Sequence, residues 1–447
     1  MIFPKRISVV YDMKKPESLW NATESLPQFE ELKRDIKTDV LVIGGGLCGL
    51  LTAYSLRKKG VSCVLVEKGR IMGGVSGNTT AKITAQHGLI YHKLLKSMGE
   101  EKAKLYLKVN LEAVGKYEEL SEKFSCDFEK KDNFVYSTES REKLEKEMKA
   151  LRILGYKAEF KRSLSMPVES FGAVKFTSQA QFHPVKFAKG LVGELQIFEN
   201  TFVRSVAGTT VRTDENEITA KKIVVATHFP FINNHGVYFM KMYQHRSYVL
   251  ALSSAVQYDG MYVDDRKDGM SFRNYGELLL VGGGDHKTGK KGGNWTELRS
   301  FKNVFYPECK EEFFWATQDC MTLDGVPYIG LYSKNTPDIY VATGFNKWGM
   351  TSSMIAAELL SDMIMGIENP CRELFNPSRS MLKPQLFLNG FESAVSMLTP
   401  RKKRCPHLGC ALKWNSAEHS WDCSCHGSRF DEEGRVLDNP SNGNLRG

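Results

Sequence analysis

The stretch TDVLVIGGGLCGLLTAYSLRKKGVSCVLVEKG, residues 38–69, decides the fold of most of this chain. Val40–Ile43 is a short run of β-formers, the three glycines 44–46 make a turn, and Leu47–Lys59 has helical composition stopped by Gly60. Val61–Val66 is a second β-run ending in the acid Glu67. The fingerprint Gly44-x-Gly46-x-x-Gly49 therefore lies between strand and helix, where the backbone can approach a pyrophosphate at a helix N-terminus. Glu67, 23 residues after Gly44, is placed to accept from ribose hydroxyls. A glycine-rich turn in an ordinary βαβ unit is the alternative, but strand, turn, helix, strand and acid in that order point to dinucleotide binding. The fingerprint alone does not choose between FAD and NAD.

A second concentration of chemistry lies at CPHLGCALKWNSAEHSWDCSCHGSRF, residues 405–430, which holds four of the ten cysteines and three of the ten histidines. Cys405-x-His407 and Cys423-x-x-His426 are two pairs, each able to give one thiolate and one imidazole to a metal centre. Thiolate suits ferric iron and sulfide, and neutral imidazole raises the potential of the iron it binds, so a two-and-two split describes a Rieske 2Fe-2S centre. A Cys2His2 zinc site is the other reading. The stretch resembles the cytochrome bc1-type Rieske motif, C-x-H-x-G-C followed by C-x-C-H-G-S. That resemblance implies a disulfide between Cys410 and Cys425 clamping the two cluster loops, and a hydrogen bond from Ser428 to a bridging sulfide. The family's tyrosine two residues later is Phe430 here, so a potential below the top of the Rieske range is expected. His419, outside both pairs, reads as a solvated loop residue. The preceding PQLFLNGFESAVSMLTPRKKR has no strand alternation and reads as a linker or short helix ending in a basic run. The expectation is a linker over 373–404 and a truncated Rieske-type subdomain over 405–447, lacking the family's closing strands and dependent on cluster, disulfide and packing for its stability.

The 447 residues suggest two or three domains, and 42% hydrophobic with 25% charged is ordinary for a globular protein. The net charge of +9 comes without a basic stripe, zinc-finger spacing or RNA-binding signature, so no nucleic acid is expected, and the charge hints only at an acidic electron-transfer protein as partner. The run Arg401–Arg404 reads as a solvated linker. MIFPKRISVVYDMKK lacks the apolar centre of a signal peptide, and the apolar run from Val40 is broken by three glycines, so no membrane span and a cytoplasmic protein are expected. Cysteines 48, 63, 126, 309, 320 and 371 are scattered singly, in keeping with a reducing compartment.

Three further segments complete the pattern. KKIVVATHFP (221–230) looks like a returning strand and turn, and LDGVPYIG (323–330) precedes IYVATGFNKWGMTSSMIAAELLSDMI (339–364), a strand, a glycine turn and a helix. In this order they resemble the D-amino-acid oxidase (DAO) superfamily of FAD-dependent oxidoreductases over roughly residues 16–375, and with the C-terminal motif the chain resembles the bacterial branch that carries a Rieske domain. The resemblance implies an α/β FAD-binding domain (Rossmann-like, of the DAO/glutathione-reductase type), an inserted α+β substrate domain and a small C-terminal Rieske-type subdomain. Its segments would be an N-terminal extension over 1–37, a discontinuous FAD-binding domain over 38–91, 176–234 and 313–372, and a substrate domain over 92–175 and 235–312. FAD would then sit on Gly44, Gly46, Gly49 and Glu67, on the loop 74–80 including Gly74, Thr79 and Thr80, on Val203 and Ala226, and on Gly344, Trp348, Gly349, Met350 and Thr351. In the substrate domain, KLLKSMGEEKAKLYLKVNLEAVGKYEELSEKF reads as helical and SFRNYGELLLVGGG as a hairpin.

A flavin beside a one-electron centre describes a dehydrogenase, and the superfamily's usual reaction is oxidation of a C–N bond in an amine or amino acid. Sarcosine oxidase relatives hold a substrate carboxylate with a lysine where this chain has Met350-Thr351, and with arginines where it has GNTTAKITAQHG. Lys82, His87, Arg273 and Lys347 are the candidate substitutes, each more often a structural residue, and Trp348 a candidate pocket wall. Cys320 lies near where some relatives attach flavin covalently, but a buried cysteine is the plainer reading. The alternative function is a flavin and iron-sulfur relay or redox sensor acting on a protein partner. A roomy polar cavity would favour the enzyme, and an aromatic-filled one, with cluster and basic run exposed together, the relay.

Overall fold

The structure is a computed structural model and describes residues 15–380, 384–400 and 402–445. The segment 1–14 on which the signal-peptide reading rests, residues 381–383 of the expected linker, Arg401 of the basic run and residues 446–447 lie outside the described residues.

The deciding stretch folds as a strand (Ile36–Ile43), a helix (Leu47–Lys58) and a parallel strand (Cys63–Val66), with Val40 paired to Cys63 and Ile43 to Val66. The second strand starts later than its composition suggests because Val61 is used to end the helix. Val61 N donates to Leu56 O and Gly60 N to Arg57 O, a Schellman cap around Gly60 at φ +78°. The eight-stranded sheet runs in the order Tyr328–Leu331, Ile339–Thr343, Glu217–Val225, Ile36–Ile43, Cys63–Val66, Gln196–Phe198, with a small hairpin (Ser205–Ala207 and Thr210–Arg212) attached to Glu217–Val225. Its central strands are buried on both faces, as a parallel sheet covered by helices requires. The helix Gly349–Met365 crosses Leu47–Lys58, where Ser55 Oγ and Ser361 Oγ are 3.0 Å apart and Lys59 pairs with Asp362 at 2.5 Å.

A nine-stranded sheet forms the second layer, in the order Lys310–Thr322, Met242–Ser253, Leu278–Lys287, Ser271–Tyr275, Gly260–Asp264, Glu129–Tyr136, Ala173–Gln181, Lys82–Ile83, with Glu159–Lys161 beside Ala173–Gln181. Ser271–Tyr275 and Leu278–Lys287 are the expected hairpin, and the expected helical stretch becomes Tyr91–Met98 and Glu100–Ser121, split at Gly99 with φ +82°. Two expected boundaries fall inside strands. Ala173–Gln181 and Lys310–Thr322 both belong to this second sheet, so residues 176–181 and 313–322 group with the substrate layer rather than with the dinucleotide sheet. Sequence composition carries no mark of sheet membership there, because both layers need the same apolar strands. The described part of the N-terminal extension is tied down as well: Ser18 Oγ donates to Gly77 O at 2.5 Å and Trp20 Nε1 to Thr79 O at 2.7 Å.

Within the expected linker, Pro384–Leu398 is a helix. The C-terminal part carries its own antiparallel four-stranded meander, Leu412–Asn415, Ser420–Cys423, Arg429–Phe430 and Val436–Asp438, so strands do follow the second cluster loop. Their shortness hid them from a reading based on alternation. No described helix is long and apolar enough to cross a membrane.

Candidate functional site

The glycine turn is shaped by close backbone approach. Gly44 has φ +113°, and a Cβ there would lie 2.5 Å from Ala226 O; a Cβ on Gly49 would lie 1.9 Å from Gly44 O. Gly46 caps the helix without a side chain, and Leu47 N donates to Ser76 Oγ at 2.9 Å. Glu67 accepts from Gly45 N at 2.7 Å and from Gly69 N at 3.0 Å, while burial raises its pKa. A cavity of 1270 Å³ opens over this turn, bordered by Gly44, Gly46, Glu67, Gly74, Thr79, Thr80, Val203, Ala226, Gly344, Trp348, Gly349 and Met350. Of the residues expected to hold the dinucleotide, Gly49 and Thr351 are outside its lining: Gly49 serves the strand–helix approach, and Thr351 Oγ1 lies 2.9 Å from His87 Nε2.

The candidate catalytic residues separate by environment. Arg273 is fully buried, donates to Thr80 O at 2.7 Å and Ala81 O at 2.8 Å, and does not border the cavity, so it pins the loop 74–81. His87 has both nitrogens engaged, with Tyr106 Oη at 2.7 Å and Thr84 O at 3.0 Å, and burial pushes its pKa down to about 3, so it is neutral. It stacks under Trp348 at 5.0 Å and fixes that ring in the cavity wall. Lys82 and Lys347 do border the cavity. Burial, helped by Arg273, pushes Lys82 down to about 7. Lys347 is ion-paired to Asp285, and the pull of Asp285 and Asp319 outweighs burial to raise its pKa. Asp319 is pushed up to about 6 by burial, and His245, its partner across the strands, down to about 3. Cys320 is a buried thiol 3.5 Å from His228 O.

The C-terminal loops bring together the expected ligands. Cys405 and Cys423 are buried and hydrogen-bond each other, which lowers the pKa of Cys423 and raises that of Cys405. The rings of His407 and His426 lie 5.0 Å apart at 84°, and Nδ1 of each is buried without a hydrogen-bond partner among the described residues. Two orphaned imidazole nitrogens beside two thiols fit the 2Fe-2S group that the motif implies. Cys410 and Cys425 are joined in a disulfide. Their sulfurs also lie within 4.8 Å of a His426 nitrogen, but a disulfide sulfur offers no thiolate. Ser428 hydrogen-bonds the Cys405 sulfur and accepts from Ser441 N at 3.0 Å, while the buried Phe430 offers no donor. His419 is exposed and pairs with Glu432 at 2.8 Å.

These loops are packed against the rest of the chain. His407 Nε2 meets Asn233 Oδ1 at 2.8 Å, and the Phe239 ring stands edge-on to His426 at 5.9 Å. Gln244 Nε2 donates to His426 O at 2.6 Å and Gln318 Nε2 to Gly427 O at 2.9 Å. Packing is close enough that a Cβ on Gly427 would lie 2.6 Å from the Gln244 side chain and one on Gly289 2.7 Å from Ser424 N. Below them Glu418 enters a buried ion-pair cluster. It accepts from Arg246 Nε at 3.0 Å, Arg429 Nη2 at 2.8 Å and Tyr248 Oη at 2.9 Å, and the two guanidinium groups, helped by the phenol, outweigh burial to hold its pKa at about 2. Glu418, Arg429, Asp438 and Asn439 border the same 1270 Å³ cavity as the glycine turn. Ser76 lies within the expected loop 74–80, whereas sequence reading missed Gln244, Arg246, Gln318 and Glu418. None of these four has a local signature, since strand register and the docking of the C-terminal loops bring together residues as distant as Gln244 and His426, 182 positions apart.

A dinucleotide fold whose cavity is bordered by Glu418, Arg429, Asp438 and Asn439 of a C-terminal region carrying a two-cysteine, two-histidine, disulfide-clamped loop pair defines an oxidoreductase with two redox cofactors, FAD and a Rieske 2Fe-2S cluster. The chain belongs to the DAO family of FAD dependent oxidoreductases, whose model matches residues 39–363, and a Rieske [2Fe-2S] domain model matches residues 397–447. The Rieske match sets the zinc reading aside. The chain is 33% identical to the Rieske 2Fe-2S iron-sulfur protein designated YhfW of Bacillus subtilis, over 95% of this chain and 96% of that one. Over 37 residues it is 51% identical to the cytochrome b6-f complex iron-sulfur subunit of Nostoc punctiforme, covering 8% of this chain and 21% of that one. Its fold is similar to that of L-proline dehydrogenase from P. horikoshii, with a TM-score of 0.64 at 17% identity, covering 77% of this chain and 98% of that chain.

Proposed function

We propose that the protein is a dehydrogenase that removes hydride from an amine, amino acid or similar small molecule held in the shared cavity, and that the electrons pass within the chain to the Rieske centre. The observation that carries this reading is the docking of the ligand histidines in cis, with His426 held by Gln244 on the strand Met242–Ser253 whose next residues border the cavity. Bound FAD accepts a hydride and releases electrons singly, and a bound 2Fe-2S cluster accepts them one at a time. The glycine turn and the N-terminus of Leu47–Lys58 bind the pyrophosphate, with Glu67 bracing the turn through Gly45 N. Trp348, backed by neutral His87, closes one side of the substrate space. Lys82, with a pKa of about 7, takes up a proton from the substrate amine, and the Lys347–Asp285 pair orients its polar end. Cys405, His407, Cys423 and His426 hold the cluster, and the Cys410–Cys425 disulfide clamps its loops.

A cavity of 1270 Å³ lined by Lys82, Lys347, Asp285 and Asp319 supports a substrate site over a relay alone. The L-proline dehydrogenase of similar fold acts on an amino acid by its name, in keeping with C–N oxidation. The test is anaerobic photoreduction of the flavin in wild type and in Cys423→Ser, followed by EPR. Wild type should develop the reduced Rieske signal as reduced flavin disappears, and the variant should keep its flavin reduced. An oxidised cluster beside a fully reduced flavin in wild type sinks the reading.

A further inference from the structure

The helix Pro384–Leu398 is amphipathic with its faces reversed. Its polar side packs inward. Asn389 and Ser396 are buried, Asn389 donates to Met240 O at 3.3 Å, and Glu392, the helix's one acid, is ion-paired to Lys287 and lies 3.4 Å from Lys290. Its apolar side faces out: Phe387 is 70% exposed, Leu388 56%, Phe391 69%, Val395 49% and Leu398 83%. At 100° per residue these five fall in a stripe about 100° wide, opposite the buried Asn389 and Ser396. Isolated exposed apolar residues need no explanation, but five on one face with two large aromatics mark a surface that something covers.

The charges around the stripe indicate what covers it. Lys402 and Lys403 are exposed just beyond the helix's C-terminal end, and Lys290 and Lys291 are exposed in the loop reached by Glu392. With Glu392 neutralised on the inner face, the outer face of the helix presents apolar side chains framed by cations and no carboxylate. An apolar face with a basic frame is the arrangement that lies in the headgroup layer of an anionic bilayer. A second copy of the chain would bring the same lysines face to face across a two-fold axis. We propose that residues 387–400, with Lys402, Lys403, Lys290 and Lys291, form a peripheral docking surface for anionic phospholipid membranes, with Phe387, Phe391 and Leu398 entering the acyl boundary and the four lysines meeting the headgroups.

The test uses the full chain carrying both cofactors, sedimented with phosphatidylcholine vesicles with and without phosphatidylglycerol. The protein should pellet with the phosphatidylglycerol vesicles, and less so as salt is raised. Phe387→Ser/Phe391→Ser and Lys291→Glu/Lys402→Glu should each lower binding about tenfold or more while flavin and cluster absorbance stay unchanged. No pelleting by wild type overturns the proposal, as does equal pelleting by the phenylalanine variant. A concentration-dependent dimer in analytical ultracentrifugation that the phenylalanine variant dissolves also overturns it, and assigns the face to a second copy.

Discussion

The dinucleotide fold and the cluster-binding region hold their cofactors by opposite means. In the first, Val40–Ile43 and Cys63–Val66 are buried in an extensive apolar core, and the cofactor turn is a by-product of how strand and helix pack. In the second, the core is six residues, four of them cysteine: Cys405, Cys410, Leu412, Cys423, Cys425 and Phe430. What that core lacks is made up by the disulfide, by the cluster, and by Glu418, Asp422 and Asp438 converging on Arg429 beneath the cavity. Where apolar burial is plentiful the site can be made of bare backbone, and where it is scarce the site depends on specific polar partners, some supplied by the neighbouring domain.

The comparison is broken most severely at Gly49. Valine there would place carbon 1.9 Å from Gly44 O, backbone that cannot yield without moving the strand, at a cost of about 4 kcal/mol or more. Gly49→Val should yield little soluble protein and neither cofactor; normal yield with full FAD would show that the turn does not depend on this approach. Glu418→Gln is the matching test on the other side. It leaves Arg246 without its carboxylate and Arg429 with only Asp422 and Asp438, and should loosen the C-terminal region by about 3 kcal/mol, seen as an earlier transition at cluster wavelengths while flavin fluorescence stays quenched. Because the Glu418 pKa is depressed from 4.5 to about 2, its stabilisation is present above pH 4.5 and lost as pH falls toward 2, so wild type and variant should converge in acid. A single joint transition in the variant would mean the two regions share one stability. The smallest effect belongs to Lys82, whose pKa is pushed down to about 7. Its neutral form grows as pH rises through 7, so substrate-dependent flavin reduction should rise with a midpoint there. Lys82→Met should flatten that limb; an unchanged profile would remove Lys82 from the proton path.

What was legible in the sequence was local. Strand, turn, helix and acid within residues 38–69, and two Cys/His pairs within 405–430, carry their meaning in spacing alone. The disulfide followed from family resemblance and is present. Arg246 and Glu418 could not be read, because their meeting depends on the register of Met242–Ser253 and on how the C-terminal meander docks. His87 and Arg273 were readable as candidates but not as props, since only packing distinguishes an imidazole facing a substrate from one spent on Tyr106 and Thr84. The helix Pro384–Leu398 is the sharpest case. It reads from sequence as a linker or short helix, and neither reading says which face looks outward.

The seam at Gly427 and Gly289 also bears on how such a chain can change over generations. With the Gln244 side chain filling the space a side chain at 427 would need, and the Ser424 backbone nitrogen the space at 289, neither glycine can gain a Cβ while the two regions stay docked, and no change of side chain at 424 relieves the second. A cluster domain grafted from a distant relative would meet this seam as a foreign surface, and the modularity suggested by two separate family matches ends at those two glycines.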